Sequence, residues 1–286
     1  MLQRSLFAIA VSALALGACT QAQAPAEAEA PAVQLYAMDC GRISIADAGA
    51  FADDGSLDGQ AREAIDPCYL IRHPDGDLMW DVGLPDSIAQ APDGVVVSGG
   101  FSLRAPVGVA AQLAQLELTP ADIEYVSISH SHFDHVGNAN LFTVATWLLD
   151  ADERAWMFRE EARASEDFGL IAPIENAPTR LLEGDADTDV FGDGSVTIIQ
   201  APGHTPGHSV LLVRLPEAGP VLLTGDLYHM PESRAQRLVP RFNTDRAQTL
   251  LAMDKVDALE AEGARVVRQH VPEDFQALPG FPRPLT

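Results

Sequence analysis

The chain carries His130-Ser131-His132-Phe133-Asp134-His135, so three histidines and one aspartate fall within six positions. An apolar run directly before it predicts a β-strand. Because residues two apart on an extended backbone point the same way, His130 and His132 can bind one cation together. After the turn, Asp134 and His135 face a second position. Imidazole and carboxylate suit zinc and its first-row neighbours, so we expect a metal site rather than a histidine-rich surface turn.

Three further stretches continue this pattern downstream. A proline- and glycine-rich loop, Ala201 to Ser209, can aim His204 inward, whereas we expect His208 to be structural. The Gly-Asp pair that ends in Asp226 offers two carboxylate oxygens, which can bridge two cations. His270 comes last. Each stretch follows an apolar run that predicts a strand, at 196–199, 221–224 and 265–268. Helical patterns lie between the strands, which indicates α/β layers.

The HxHxDH motif, the PGHTPGH loop, the Gly-Asp pair and the late histidine together resemble the metallo-β-lactamase superfamily. The resemblance implies an αββα sandwich, with two facing mixed sheets and outer helices. It implies two Zn²⁺ ions, or other first-row divalent metals, held by seven residues. Metal one takes His130, His132 and His204, metal two takes Asp134, His135 and His270, and Asp226 bridges them.

Within the superfamily, the chain resembles the N-acyl homoserine lactonase-like branch at 35–44, 67–74, 80–85 and the HFDHVGN stretch. This implies a hydrolase that opens a cyclic ester by attack of a metal-bridging hydroxide. The lactonases carry a tyrosine three residues after the bridging aspartate; here that position is His229, and Tyr228 is one earlier. An acidic residue often follows the last histidine; here it is Val271. Tyr228 and His229 are both candidates to assist catalysis, and Asp134 is a candidate to orient or shuttle the proton.

Two groups outside the ligand set have open interpretations. Phe101, Phe133, Tyr228 and Met230 either line an apolar pocket for an acyl chain or belong to the core. Asp81 follows a predicted strand and either supports a ligand or caps a turn.

Three other functions remain as alternatives. A β-lactamase, or another hydrolase of esters or thioesters, fits the fold, but that β-lactamase branch typically lacks an aspartate bridge such as Asp226. A mononuclear iron sulfur dioxygenase fits the fold as well. A non-catalytic metal-binding lipoprotein has no reason to retain all seven ligands.

Composition restricts the partners. The formal charge of -23 over 286 residues repels phosphate backbones, so the partner is expected to be a small molecule and not nucleic acid. Cys40 and Cys68 each lie beside a predicted strand, where either a disulfide or two free buried thiols are possible.

The first 33 residues precede the predicted hydrolase domain, which spans 34–286. Residues 1–18 read as a signal peptide, because the apolar run after Arg4 is too short to span a bilayer. It ends in Leu16-Gly17-Ala18-Cys19, which resembles a bacterial lipoprotein cleavage box. Residues 19–33 read as a flexible tether. Because Thr20 rather than aspartate follows Cys19, we expect a periplasm-facing lipoprotein of the outer membrane.

The rest of the chain gives coarser expectations. The Pro74–Asp77 stretch predicts a hairpin, and Val109 to Leu116 predicts a helix. Thr119 is the expected N-cap of a second helix. Residues 47–66 read as loop, and residues 83–108 read as a long mobile segment that covers the site.

We predict that residues 1–18 are removed and that Cys19 carries the lipid, because the cleavage box and the tether stand together. Mass spectrometry of the native amino terminus, isolated from membranes, measures this. The Cys19→Ala variant serves as the control and should leave the membrane fraction. An unmodified terminus beyond Cys19 would rule out lipidation.

Overall fold

Side chains alternate between two buried environments along the first strand, Gln34–Ile45 (β1). The computed structural model describes residues 32–286. Leu35 and Ala37 pack toward a second sheet, whereas Tyr36 and Met38 pack toward helices on the opposite face. A sheet that is covered on both faces needs apolar residues that point to either side, which is why residues 35–38 form a continuous apolar run.

The first sheet has eight strands in the order β4-β5-β1-β2-β3-β6-β7-β8. It is mixed, because β1, β2 and β3 pair antiparallel while β3, β6, β7 and β8 pair parallel. Besides β1, its strands are β2 Arg62–His73, β3 Gly76–Trp80, β4 Val95–Val97, β5 Phe101–Arg104, β6 Tyr125–Ser127, β7 Thr146–Asp150 and β8 Thr179–Leu182.

The second sheet has five strands in the order β13-β12-β11-β10-β9. It is also mixed, since β12 and β13 pair parallel and the other neighbours pair antiparallel. Its strands are β9 Thr188–Asp189, β10 Val196–Gln200, β11 Ser209–Leu215, β12 Gly219–Leu223 and β13 Arg265–Val267.

Eight helices connect and cover the sheets in the described residues. Val256 and Met253 of the longest helix, α7, pack on the outer face of the second sheet. The helices are α1 Val109–Leu113, α2 Phe133–Val136, α3 Ala151–Met157, α4 Glu160–Arg163, α5 Phe168–Ile171, α6 Pro231–Gln236, α7 Arg246–Ala261 and α8 Pro272–Gln276.

The hydrophobic core confirms the predicted αββα sandwich. Between the sheets, Trp80 and Ile71 of the first sheet share one buried cluster with Leu211 and Leu223 of the second. Separate clusters lie outside each sheet, beneath the helices. The layers are therefore helix, sheet, sheet, helix.

The strand directions bring four chain segments to one edge of the sandwich. Strands β10, β12 and β13 run the same way, because β11 is antiparallel to both β10 and β12, and β13 is parallel to β12. Each of β6, β10, β12 and β13 ends three or four residues before a predicted ligand: His130, His204, Asp226 and His270. The sandwich thus delivers the predicted ligands to one place.

The structure confirms the predicted hairpin and the predicted helix at Val109, whereas the helix expected after Thr119 is shorter than predicted. The hairpin is confirmed, since β2 and β3 pair antiparallel from His73 and Gly76. Val109–Leu113 is helical and continues as a short 3-10 turn. Thr119 precedes only a single 3-10 turn, Pro120–Asp122.

Two loop assignments were wrong. Residues 62–66 belong to β2 and not to a loop, because β1 continues to Ile45 and supplies their partners. Residues 83–108, which were expected to form one long irregular segment, contain the strands β4 and β5. Leu103 of β5 pairs with Ile43 of β1 and is buried. Both errors have the same cause, since the pairing partner lies far away in sequence.

Cys40 and Cys68 form a disulfide that joins neighbouring strands β1 and β2, with their Cα atoms 5.7 Å apart. Both residues are buried. This resolves the open choice between a disulfide and two free thiols.

Within residues 32–286, no helix combines the length and the apolar character that crossing a bilayer requires. The predicted signal peptide, Cys19 and most of the tether lie outside the described residues.

We expect the Cys40–Cys68 disulfide to stabilise the fold by about 3–4 kcal/mol, because it closes a loop with a sequence separation of 28. Urea denaturation of the wild type should show this loss when reductant is added. The matched control is the Cys40→Ala/Cys68→Ala double variant, whose stability should not respond to reductant. Equal stability of the oxidised and reduced wild type would contradict the expectation.

Candidate metal centre

Three imidazole nitrogens converge on one point at the sandwich edge. His130 Nε2 lies 2.8 Å from His132 Nδ1. His204 Nε2 lies 3.2 Å from His130 Nε2 and 3.1 Å from His132 Nδ1. One Asp226 oxygen, Oδ2, lies 3.5 Å from His130 Nε2 and 3.6 Å from His204 Nε2. Four ligands of a tetrahedral zinc ion at about 2.0–2.1 Å would lie about 3.3 Å apart, so these spacings fit a divalent ion.

A second group of donors lies on the other side of Asp226. Its Oδ1 is 2.8 Å from His270 Nε2 and 3.1 Å from His135 Nε2. Asp134 Oδ1 lies 3.8 Å from His135 Nε2, and Asp134 Oδ2 lies 3.7 Å from His270 Nε2. The seven predicted ligands therefore form two groups, and one Asp226 oxygen points to each group. The first group is His130, His132, His204 and Asp226, and the second is Asp134, His135 and His270.

The electrostatics of the two groups suit cations. Burial lowers the pKa of His130 and His204 well below the usual value, so both rings are neutral and can offer an electron pair. Burial alone would raise the pKa of Asp226, but His270 and His135 hold it well below its usual range. Burial lowers the pKa of His135 and His270, but Asp226 outweighs it, raising the pKa of His270 to about 9 and that of His135 well above its usual value. The buried carboxylate therefore attracts positive charge, which a divalent metal would supply in place of these ring protons.

Asp81 contacts the ligand groups directly, and it lies at the end of β3. Its Oδ1 accepts a 2.6 Å hydrogen bond from the Ser129 amide, and its Oδ2 lies 2.9 Å from His135 Nδ1. Asp81 is fully buried. The carboxylate orients the His135 ring, so that Nε2 points to Asp226. This decides between the two roles open to Asp81.

His208 and Gly225 fix the approach of Asp226. His208 Nδ1 donates to the Ala201 carbonyl at 3.0 Å, and its Nε2 accepts from the Asp226 amide at 3.1 Å. Burial lowers the pKa of His208 to about 4, which keeps this ring neutral. Gly225 has a φ of +48°, and a Cβ there would lie 2.6 Å from Ser129 Cβ. His208 is thus a supporting residue, as expected.

The two aromatic candidates after Asp226 lie in different places. His229 borders the metal centre, with Nε2 3.0 Å from Asp226 Oδ2. Tyr228 points instead into the core outside the second sheet, beside Met253 and Val256. Adjacent residues on an extended backbone face opposite sides, so only one of the pair can reach the centre. Tyr228 does not line the cavity beside the metal centre, so it is neither a catalytic nor a pocket residue.

An apolar cavity of about 350 Å³ opens onto the centre. Its wall includes Phe101, Phe133 and Met230, three of the four predicted pocket residues. His132, Asp134, Asp226, His229 and His270 form its polar end. Further apolar wall residues come from separate elements: Ile43, Ile45, Phe51 and Phe242.

Comparison with known proteins gives the class. The model of the metallo-beta-lactamase superfamily matches residues 65–264, which is more than half of the chain. The chain belongs to this superfamily of metal-dependent hydrolases.

Curated relatives narrow the class further. The N-acyl homoserine lactonase AttM of Azorhizobium caulinodans is 32% identical over 264 residues, with 87% of this chain and 98% of that protein covered. The AttM of Rhizobium radiobacter is 32% identical, with the same coverage. Within the superfamily, the chain therefore belongs to the N-acyl homoserine lactonase-like branch, and the expectation of a metal-dependent hydrolase is confirmed.

Solved structures share the fold. An N-acyl homoserine lactone hydrolase with N-hexanoyl-L-homoserine at its catalytic metal centre has a TM-score of 0.73 and 24% identity, and 89% of this chain and 99% of that chain are covered. AidC, a dizinc quorum-quenching lactonase, has a TM-score of 0.61 and 17% identity, with 84% and 88% covered.

Sequence reasoning missed several residues around the centre. Glu153 is buried at the start of α3 and accepts hydrogen bonds from Ser131. Its only local signal is an acidic residue just after a strand. Phe51 and Phe242 pack against the His229 ring, with centroids 5.2 and 5.7 Å away. Nothing near either phenylalanine in sequence indicates this contact.

We expect Asp226→Ala to lose metal from both positions and to lose most turnover, because the two donor groups then share no ligand. Metal analysis after dialysis at fixed free zinc measures the loss. Tyr228→Phe is the matched control two residues away, and it should retain both metals and nearly full activity. Two metals and normal turnover in Asp226→Ala would contradict the bridging role.

Proposed function

We propose that the protein is a zinc-dependent lactonase that opens N-acyl homoserine lactones or similar cyclic esters with an apolar acyl chain. The observation that carries the proposal is the apolar cavity that opens directly onto the Asp226-bridged donor groups. The AttM relatives, named as N-acyl homoserine lactonases, support the substrate class. Five histidines and two aspartates support zinc.

The cavity suits a chain attached to a polar head. Its wall is aromatic and aliphatic, while its polar end lies at the donor groups. Phe51 holds Phe101 and Phe242 in edge-to-face contact, with centroids 6.2 and 5.4 Å away. Each methylene that leaves water for such a wall contributes about 0.8 kcal/mol, so an acyl chain here stabilises the bound substrate.

The seven residues would hold two divalent ions, which would supply a nucleophile near neutral pH and polarise the lactone carbonyl. The protein's own part is orientation. Asp226 fixes the spacing of the donor groups, and the cavity places the ester beside them. Asp134 borders the cavity and is positioned to orient the attacking oxygen or accept its proton.

His229 is the candidate donor to the oxygen on which charge develops. It borders the cavity and lies beside Asp226, at the position where the lactonases carry tyrosine. Phe51 and Phe242 hold its ring on two sides. An imidazole N–H can donate to the oxyanion or to the departing ring oxygen, as a phenol would.

The alternatives fit the cavity less well. Among the described residues, the cavity wall contains no lysine or arginine to pair with the carboxylate of a β-lactam. Asp226, turned to both donor groups, also disfavours a mononuclear iron oxygenase.

We also propose that the enzyme acts outside the cytoplasm as a lipid-anchored protein. The predicted signal peptide and the sequence around Cys19 support export, and the Cys40–Cys68 disulfide is consistent with an oxidising compartment. There the enzyme would meet acylated signals as they pass the envelope, which is a quorum-quenching role.

A substrate panel tests the function. We expect the zinc-loaded protein to hydrolyse N-acyl homoserine lactones, with kcat/KM rising up to about fourfold per added methylene from butanoyl to decanoyl. It should leave β-lactams and thioesters nearly untouched. Product acid release, followed by pH indicator, measures the rates. Faster hydrolysis of a β-lactam or thioester than of any lactone would overturn the proposal.

The His229→Ala variant belongs in the same panel. It should keep both metals and lose on the order of 10²-fold in kcat, as expected for one lost donor. His73→Ala is a control, because His73 lies far along the sheet against Phe191. Full activity in His229→Ala would remove His229 from the mechanism while leaving the substrate class intact.

A further inference from the structure

We propose that Glu153 is a positioning residue for one metal position only, the one formed by His130, His132 and His204. The proposal rests on the metal centre of the proposed function. It extends that function by assigning separate supports to the two positions.

The Glu153 carboxylate connects two loops that carry these histidines. Its Oε1 accepts hydrogen bonds from the amide of Ser131, at 2.8 Å, and from the Ser131 hydroxyl. Its Oε2 accepts from the Gly207 amide at 3.2 Å. Ser131 lies between His130 and His132, and Gly207 lies three residues after His204.

Burial makes these hydrogen bonds consequential. Glu153 is 1% exposed, so no bulk water can replace a lost donor. When a buried carboxylate loses its donors, the desolvation free energy that is left uncompensated exceeds the net stabilisation that the hydrogen bonds provided. The three donors thus hold the two loops at one separation, and with them the spacing of the His130, His132 and His204 nitrogens.

Close packing at Gly207 adds to the same constraint. A Cβ there would lie 2.0 Å from Asp150 Oδ1 and 2.4 Å from the Glu153 amide. Only glycine permits the loop to approach the start of α3 this closely. Asp150 caps that helix by accepting from the Asp152 and Glu153 amides. The start of α3 therefore packs tightly against the loop that carries His204 and restricts its position.

The other donor group has a different support. Asp81 contacts His135 and the Ser129 amide, and the ring of His270 is oriented by the Ile65 carbonyl at 2.9 Å from Nδ1. Among the described residues, the Glu153 carboxylate accepts hydrogen bonds from Ser131 and Gly207, and it accepts none from Asp134, His135 or His270. Loss of Glu153 should thus affect one position and spare the other.

Glu153→Gln is the sharpest test because it keeps the side-chain volume. An amide has one acceptor oxygen and one NH₂ group, so either Ser131 or Gly207 must face a donor. We expect the affinity of one zinc ion to fall about 10- to 100-fold, as outer supports of metal ligands typically do. The affinity of the other ion should stay within about twofold. Competition with a chromogenic chelator on the full chain measures both constants.

Two comparisons identify the position that is lost. Glu153→Gln combined with His132→Ala should bind no less zinc than His132→Ala alone, whereas Glu153→Gln with His270→Ala should lose both ions. Asp152→Asn is the matched control, since it removes the same charge from an exposed neighbour and should leave both constants unchanged. Ser131→Ala, a milder change, should weaken the same ion to a smaller extent.

Three outcomes would overturn the proposal. They are unchanged zinc constants in Glu153→Gln, equal weakening of both ions, or a wild type that binds no zinc. A wild type that binds two zinc ions but opens no lactone would defeat the proposed substrate and leave the role of Glu153 standing. If Glu153→Gln does not fold, unchanged zinc constants in Ser131→Ala would decide against the proposal.

Discussion

The buried carboxylate of Asp226 sets the geometry that the chain segments around the metal centre have to satisfy. A charged group that is 4% exposed is unstable in a protein interior unless it is surrounded by compensating partners. Here the partners are imidazoles that follow three other strands, β6, β10 and β13, with one carboxylate oxygen turned to each donor group. The fold must therefore hold several chain segments at distances near 3 Å around a carboxylate that is almost fully buried.

The sandwich meets this requirement through strand direction and buried polar supports. Strands β6, β10, β12 and β13 end at one edge, so short loops suffice to aim each ligand. Neutral His208 accepts a hydrogen bond from the Asp226 amide, and Asp81 orients the His135 ring. Glu153 accepts hydrogen bonds from the loops that carry His130 and His204. Because the same edge meets the apolar wall around Phe51, a charged centre and a hydrophobic cavity become neighbours. That combination suits the proposed hydrolysis of an acylated lactone.

The sequence predicted those parts of the molecule whose signals are local. The ligand residues stand in short motifs behind apolar strands, so all seven could be named, and the family resemblance supplied the layered fold. The choice between Tyr228 and His229 required the backbone direction after Asp226, which residue types alone do not reveal. Strand β5, the aromatic contacts of Phe242 and the hydrogen bonds of Glu153 depend on partners distant in sequence, so no window of residues contains them. The disulfide depended likewise on the pairing of β1 with β2.

Anomalous diffraction at the zinc edge from zinc-loaded crystals tests directly whether Asp226 bridges two metal ions. We expect two peaks about 3.5–4 Å apart, each next to a different Asp226 oxygen. One peak should lie among His130, His132 and His204, and the other among Asp134, His135 and His270. A single fully occupied peak, with Asp226 remote from it, would show that Asp226 does not bridge two ions.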